Sequence, residues 1–422
     1  MRVLVLLLSL WAVLPLPASA QGTRGAAPLS LADVLRLAEA NNASLAVARQ
    51  EAALAEADVI AARQRPNPEF EAESEGWRPG SDGGFGNGQE LSLRLSQPFE
   101  LGGRRTSRVA AARAGRAAAD ATLADAVRQV RRATGRAYFA LAGARAEADA
   151  AGRAIEEIDR VIAVNRARYE QGEVSGGELR RLEVERLRFA DDQLAAELAT
   201  RRATNDLRAL IGVGRLDDPI ELAEGLAVPS AVPPPGGIEG LRSIALEQRP
   251  DVAALRHERG RAEADARLQR ALRTPSPTLS GGYKRDFGEN GLILGVSIPL
   301  PVFDRNQSGL ARADAGIRLA DARLRQVETA VAVEVQQALD LVDVSRRRVE
   351  TIERDYLARA REARDSVAAA YRAGEADLID YLDAQRAFRD VQRAHTRALV
   401  ELHLSHFELQ AAIGALPGDP RS

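Results

Sequence analysis

The chain has no cysteine, which excludes disulfide frameworks, thiolate metal sites, cysteine nucleophiles and lipid attachment through a cysteine. It has no excess of one charge: 58 Lys and Arg against 60 Asp and Glu leave a net charge of −2, so nothing points to nucleic acid. Lys284 is the sole lysine, and arginine carries the rest of the positive charge. Aromatic residues are scarce at 4% while Ala, Leu, Arg and Glu are abundant, a balance that favours long helices over aromatic-rich cores. Apolar runs of the roughly 20 residues a membrane helix needs are also missing. The nearest approach, Val3 to Leu16, follows Arg2 and precedes Ala18-Ser19-Ala20. That arrangement reads as a signal peptide over 1–20, with a mature chain from Gln21 that leaves the cytoplasm.

What is present is a repeat. Tyr169 in Arg168-Tyr169-Glu170-Gln171-Gly172-Glu173 returns as Tyr371 in Ala370-Tyr371-Arg372-Ala373-Gly374-Glu375, and Gly172 as Gly374. Ile211-Gly212 returns as Ile413-Gly414, Ser96-Gln97-Pro98 as Ser297-Ile298-Pro299, and Glu56-Ala57-Asp58 as Glu263-Ala264-Asp265. All of these share an offset of roughly 200 positions, as one duplicated unit would give. The expected units are 21–227 and 238–415, joined by a Pro- and Gly-rich linker at 228–237 and followed by a tail at 416–422.

Each unit predicts the same order. An opening helix covers Leu31 to about Gln64 and about Ile238 to Leu272, with Ser30 and Asp33 placed as an N-cap pair. Pro66 and Pro68, then Pro275 and Pro277, stop these helices. Two β-like segments follow in each unit. A very long helical stretch comes next, about Thr106 to Arg168 and about Ala311 to Tyr371. Glycine-marked turns reverse the chain into return helices over about Glu178 to Leu210 and Asp377 to Ile413. Thr106 to Arg168 would reach ~95 Å at ~1.5 Å per residue, beyond an ordinary globular helix. Its apolar and alanine positions recur at three- and four-residue steps, as in coiled-coil packing.

The β-like segments alternate. Leu91, Leu93 and Leu95 oppose Glu90, Ser92, Arg94 and Ser96; Leu292, Leu294, Val296 and Ile298 oppose Ile293, Gly295 and Ser297. Glu69, Glu71, Glu73 and Glu75 share a face opposite Phe70, Ala72 and Ser74. These lengths and patterns suit transmembrane strands with one lipid face and one lumen face. Polar, Gly-rich segments at 78–88 and 286–290 suit external loops. Four strands cannot close a membrane barrel, because open edges would leave backbone groups unpaired in lipid. Several chains must share one barrel, and three would supply twelve strands. The competing readings are hairpins on a soluble helical protein and a solid coiled-coil scaffold without a pore.

Leu29-Ser30-Leu31-Ala32-Asp33-Val34-Leu35-Arg36-Leu37-Ala38-Glu39-Ala40-Asn41-Asn42 resembles the opening helix of TolC-like outer-membrane efflux proteins. Tyr371 to Gly374 with Asp380-Tyr381-Leu382-Asp383-Ala384-Gln385 is similar to their repeat signature. The resemblance covers the mature chain. It implies a mostly α fold with membrane β: a TolC-like homotrimer whose 12-stranded β-barrel in outer-membrane lipid continues as a periplasmic α-helical barrel. It also implies a periplasmic adaptor and an inner-membrane pump as partners. Gln97-Pro98-Phe99-Glu100-Leu101-Gly102-Gly103-Arg104-Arg105 and Pro299-Leu300-Pro301-Val302-Phe303-Asp304-Arg305-Asn306-Gln307 resemble the CzcC-like subgroup. That implies heavy-metal cation efflux with a resistance-nodulation-division pump; drug efflux and type I protein secretion are the alternatives.

The resemblance also assigns residues. Gly172, Glu173, Gly374 and Glu375 sit at the tips, which implies adaptor contact. Asp380 and Asp383, three apart on one helix face, align with acidic residues at the inner mouth and would form two carboxylate rings that attract cations. Tyr371 and Glu178 stand at the positions of a closed-state latch. Ala376 replaces an arginine of the best-known member, so that latch lacks its charged donor. His403 and His406 share spacing suited to a metal but have no third ligand in view. No nucleophile constellation or phosphate loop stands out, so neither catalysis nor a cofactor is expected.

Overall fold

The computed structural model describes residues 28–76, 90–212, 220–223, 225–227, 237–286 and 289–416. The expected signal peptide, most of the expected linker and loops, and most of the tail lie outside these residues. Nine α-helices and four strands are formed among the described residues. The helices are α1 (Leu31–Asn41), α2 (Ala43–Arg63), α3 (Arg104–Glu170), α4 (Gly176–Ile211), α5 (Gly237–Gln248), α6 (Pro250–Ala271), α7 (Gln307–Thr351), α8 (Ala358–Ala373) and α9 (Leu378–Ile413). The strands are β1 (Glu69–Glu75), β2 (Glu90–Pro98), β3 (Thr278–Asp286) and β4 (Glu289–Ser297). None of the helices is long and apolar enough to cross a membrane.

Each expected opening helix is two helices. Asn42 breaks the first: its Oδ1 accepts from the Ser44 amide at 2.9 Å and its Nδ2 donates to the Leu210 carbonyl at 2.9 Å. Its side chain competes with the helix for backbone partners and starts α2 instead. Pro250 breaks the second; it lacks an amide hydrogen to continue α5 and sits in the first turn of α6. Ser30 does cap α1, with Oγ accepting from the Asp33 amide at 3.2 Å and the Asp33 carboxylate accepting from the Ser30 amide at 3.1 Å.

The long helix of the first half is continuous. Its 67 residues reach ~100 Å. In the second half the long helix is interrupted at Ile352–Leu357 by a π-helical segment between α7 and α8, where each turn takes in an extra residue. Glu353 in that segment contacts His395 Nε2 of α9 at 2.9 Å.

The strands form one antiparallel sheet in the order β1-β2-β3-β4, so the two halves are joined through β2 and β3. The helical body buries its apolar stripes in separate clusters. One joins α1, α3, α4 and α9 around Tyr138, Leu141, Leu207 and Phe407. A second joins α5, α6, α7 and α9 around Leu241, Val252, Val335 and Leu409. A third, at the far end, joins α3, α4 and α9 around Ile158, Leu182, Phe189, Leu378 and Tyr381. Close approach of α3 and α9 requires glycine: a Cβ on Gly135 would come within 2.3 Å of the Phe407 ring.

Candidate functional site

The sheet separates two chemistries by register. Residues directly paired across strands share a face. Glu71 pairs with Arg94, Arg94 with Gly282 and Gly282 with Ile293, which puts Glu69, Glu71, Glu73, Glu75, Glu90, Ser92, Arg94, Lys284, Asp286 and Glu289 on one side. Phe70, Leu91, Leu93, Leu95, Leu279, Tyr283, Leu292, Leu294 and Val296 lie on the other. The polar side carries ion pairs of Arg94 with Glu71 at 3.4 Å and of Lys284 with Glu90 at 3.0 Å and Asp286 at 3.4 Å. The apolar side is open, and Leu294 is 89% exposed. The outer edges of β1 and β4 have no strand beside them among the described residues.

At the other end of the body, two turns reverse the chain. Gly172 (φ 77°) and Gly374 (φ 78°) take the left-handed conformation that glycine adopts without Cβ strain. Glu173 accepts from Arg168 Nε at 3.3 Å, while the Glu375 amide donates to the Ala370 carbonyl at 2.9 Å. Both glutamates are exposed. Ser175 caps α4, and Asp377 caps α9 by accepting from the amides of Ile379 at 2.9 Å and Asp380 at 3.0 Å.

Tyr371 and Glu178 are not bonded to each other. The Tyr371 hydroxyl donates to Asn165 Oδ1 of α3 at 2.8 Å, and its ring stacks on Tyr381 with centroids 5.1 Å apart. The Glu178 carboxylate accepts instead from the Ser175 amide at 3.2 Å, three residues away, where the helix start holds it. Asn165 is buried and anchored by its Nδ2 on the Val161 carbonyl at 2.9 Å. Burial raises the Tyr371 pKa, and the Asn165 hydrogen bond offsets part of the rise. Burial and the Glu157 charge push Tyr381 up to about 12. Both phenols therefore remain neutral hydrogen-bonding groups at ordinary pH.

Asp380 and Asp383 both lie exposed on α9, in unlike surroundings. Asp383 pairs with Arg386 at 3.1 Å, and Arg386 reaches the buried Glu185 of α4 at 2.8 Å. The Asp380 carboxylate has no ion-pair partner among the described residues. His403 stacks on Phe139 with centroids 5.0 Å apart. The sequence reading missed Asn165, Arg386 and Glu185. Asn165 did leave a signal, as the polar member of the stripe Ile158, Ile162, Asn165.

The family model described as "Outer membrane efflux protein" matches residues 34–213 and 241–415. The chain is 31% identical over 370 residues to the cobalt-zinc-cadmium resistance protein CzcC of Cupriavidus metallidurans, covering 86% of this chain and 84% of that protein. Among solved structures, it is similar to a membrane protein from Pseudomonas aeruginosa (TM-score 0.76, 22% identity, 91% of this chain and 92% of that one). It is also similar to CusC, a protein described in terms of transmembrane channel formation (TM-score 0.75, 21% identity, 91% and 92%).

Proposed function

The chain belongs to the outer membrane efflux protein family, and on that premise we propose that it is the exit duct of a tripartite pump for heavy-metal cations. Its fold is that of TolC-like channels, which are not enzymes, and the family supplies the trimeric outer-membrane channel of such pumps. The observation that carries the reading is the four-stranded sheet, apolar on one face, acidic on the other and open at both edges. A lone sheet of this kind in hydrocarbon would strand its edge amides and carbonyls. Three copies, with β4 of each paired to β1 of the next, close a twelve-stranded barrel with lipid outside and an acidic lumen within. A closed acidic lumen concentrates cations and slows anions.

The substrate class draws on the CzcC relative, whose name gives cobalt, zinc and cadmium resistance. In this reading Asp380 and Asp383 form carboxylate rings at the periplasmic mouth. Gly172, Glu173, Gly374 and Glu375 face a periplasmic adaptor, and a resistance-nodulation-division pump supplies the energy. The test is a deletion strain challenged with zinc, cobalt and cadmium and with a panel of hydrophobic drugs. Metal sensitivity with unchanged drug tolerance is the expected result; drug sensitivity alone moves the duct to drug efflux and overturns the metal reading.

A further inference from the structure

The apolar stripe of β4 does not end with the strand. Leu292, Leu294 and Val296 are followed at the same two-residue step by Ile298, Leu300 and Val302, and then by Phe303. All are exposed, Leu300 to 78% and Phe303 to 93%. Leu292 to Val296 covers only ~13 Å along a strand at ~3.3 Å per residue, short of the ~25 Å apolar band of an outer-membrane barrel. Beyond the strand the chain turns, with the Val302 amide donating to the Leu300 carbonyl at 2.9 Å, and Ile298, Leu300, Val302 and Phe303 keep the exposed surface there apolar. An exposed apolar crossing that continues the lipid face of β4 suits the periplasmic margin of the hydrocarbon layer, where groups beside it would meet the headgroups.

Beside it is a recess lined by Arg270, Arg273, Thr274, Pro301 and Arg305. Arg270 and Arg273 come from the end of α6 and the residues just after it. Arg305 is folded back by a hydrogen bond from its Nε to the Pro301 carbonyl at 3.3 Å. Asn306 ties the crossing to α6 by donating to the Gln269 carbonyl at 2.8 Å. Arg104 of the first crossing joins the group, donating to the Leu272 carbonyl at 3.0 Å and to the Thr274 carbonyl, with its Nε buried and unpartnered. None of these four guanidinium groups makes an ion pair among the described residues. The nearby Asp304 carboxylate accepts from the Asn306 amide at 2.8 Å and makes no ion pair among the described residues. Elsewhere in the chain, arginines are widely matched to carboxylates, as at Arg108–Glu100, Arg132–Glu334 and Arg249–Asp251.

We propose that this recess binds the phosphate of an anionic phospholipid in the periplasmic leaflet, with the acyl chains lying against Leu300, Val302 and Phe303. Converging guanidinium groups give the bidentate donors that phosphate oxygens accept. The adjoining apolar residues select a lipid over a free anion. The proposal rests on the membrane-channel reading above.

The test is native mass spectrometry of the purified protein after exchange with phosphatidylglycerol or phosphatidylcholine, with single-channel current in phosphatidylcholine bilayers read in parallel. The wild type should retain phosphatidylglycerol ~10-fold better than phosphatidylcholine. The Arg270→Gln/Arg273→Gln/Arg305→Gln variant should lose that preference while still conducting, and the matching triple Lys variant, which keeps the charge without the bidentate fork, should restore only part of it. Equal retention of the two lipids by the wild type, an unchanged preference in the Gln variant, or displacement of the lipid by inorganic phosphate at equal concentration would each overturn the lipid site while current persists. Absence of current in every form would instead overturn the channel reading beneath it.

Discussion

The middle of the helical body and its tip join the two halves of the chain with opposite chemistry. Partway along α3, the halves meet through paired charges of which Arg128, Arg249 and Glu408 are buried and Arg132, Asp251 and Glu334 half-buried. Arg249, 4% exposed, contacts Asp251 and Glu334 at 2.7 Å each and donates to the Ala412 carbonyl at 3.0 Å. Arg128 joins Asp125 at 2.8 Å and Asp251 at 3.5 Å, and Arg132 bridges Glu334 and Glu408. At the tip, the α8–α9 hairpin meets α3 through the neutral Tyr371–Asn165 bond and a hydrogen bond from Gln385 to Glu157 at 3.0 Å, and meets α4 through the partly exposed Arg386–Glu185 bridge. A buried ionic network tolerates little displacement, because losing one partner strands a desolvated charge. A neutral bond contributes about 1 kcal/mol and can be remade elsewhere. The middle is therefore the rigid clamp of the duct, and the tip is the part free to change.

The sharpest way to break this contrast is Arg249→Met. It leaves Asp251 and Glu334 with only Arg128 and Arg132, and should cost about 2–4 kcal/mol of unfolding free energy, read as a lower denaturant midpoint of the helical signal. A change no larger than that of Tyr371→Phe would end the distinction between clamp and tip.

Acid should loosen the same clamp. At Asp251 and Glu334 burial works to raise the pKa, but the hydrogen bonds and charge of Arg249, with the charges of Arg128 and Arg132, outweigh it and hold both below their ordinary values. A carboxylate depressed in the folded state contributes stability that is present above its unfolded pKa, near ~4, and is lost as pH falls through the lower folded value. The thermal midpoint should hold from pH 7 to about 5 and fall steeply below about 4. The Arg249→Met variant should show a shallower fall. An equally steep fall in the variant would place the acid sensitivity elsewhere.

How far the sequence could be read follows from the same contrast. The strand faces were legible at Leu91 to Leu95 and Glu69 to Glu75 because lipid on one side and water on the other impose strict alternation on neighbouring residues. The tips were legible because a reversing turn needs a glycine in place, at Gly172 and Gly374. The clamp was not legible, since Arg132 on α3, Arg249 at the α5–α6 junction, Glu334 on α7 and Glu408 on α9 are far apart in sequence and only packing brings them together. Asn42 and Pro250 were visible, but the apolar period runs across both and masks the helix breaks. The sequence pointed Tyr371 to Glu178 alone; the capping geometry of α4 holds Glu178 beside Ser175, and the hydroxyl bonds to Asn165.

At the tip, the effect should appear in the closed state more than in stability. Tyr371→Phe removes the donor to Asn165 at a cost of about 1 kcal/mol and should raise closed-state leak several-fold in single-channel recordings. Tyr169, its counterpart at the first tip, is 48% exposed, and Tyr169→Phe should leave leak unchanged. Equal leak in the two variants would show that the second tip holds nothing the first does not.

The smallest expected effect separates two residues that look alike in sequence. Asp380 and Asp383 are both exposed acids on α9, but the Asp383 charge is shared with Arg386, which also serves Glu185. In a threefold assembly the Asp380 ring would therefore carry nearly full charge and the Asp383 ring only part of it. Asp380→Asn should lower the cation-over-anion permeability ratio by about twofold, and Asp383→Asn by less, both more clearly at low salt, where the Debye length exceeds about 10 Å. Asp383→Asn has a second consequence that Asp380→Asn lacks: it releases Arg386 to pair with Glu185 alone, tightening the α4–α9 bridge and so opposing any opening of the tip. A larger selectivity loss from Asp383→Asn than from Asp380→Asn would show that the Arg386 bridge does not persist in the conducting state, and that the tip rearranges more deeply than a shift about the Tyr371–Asn165 contact.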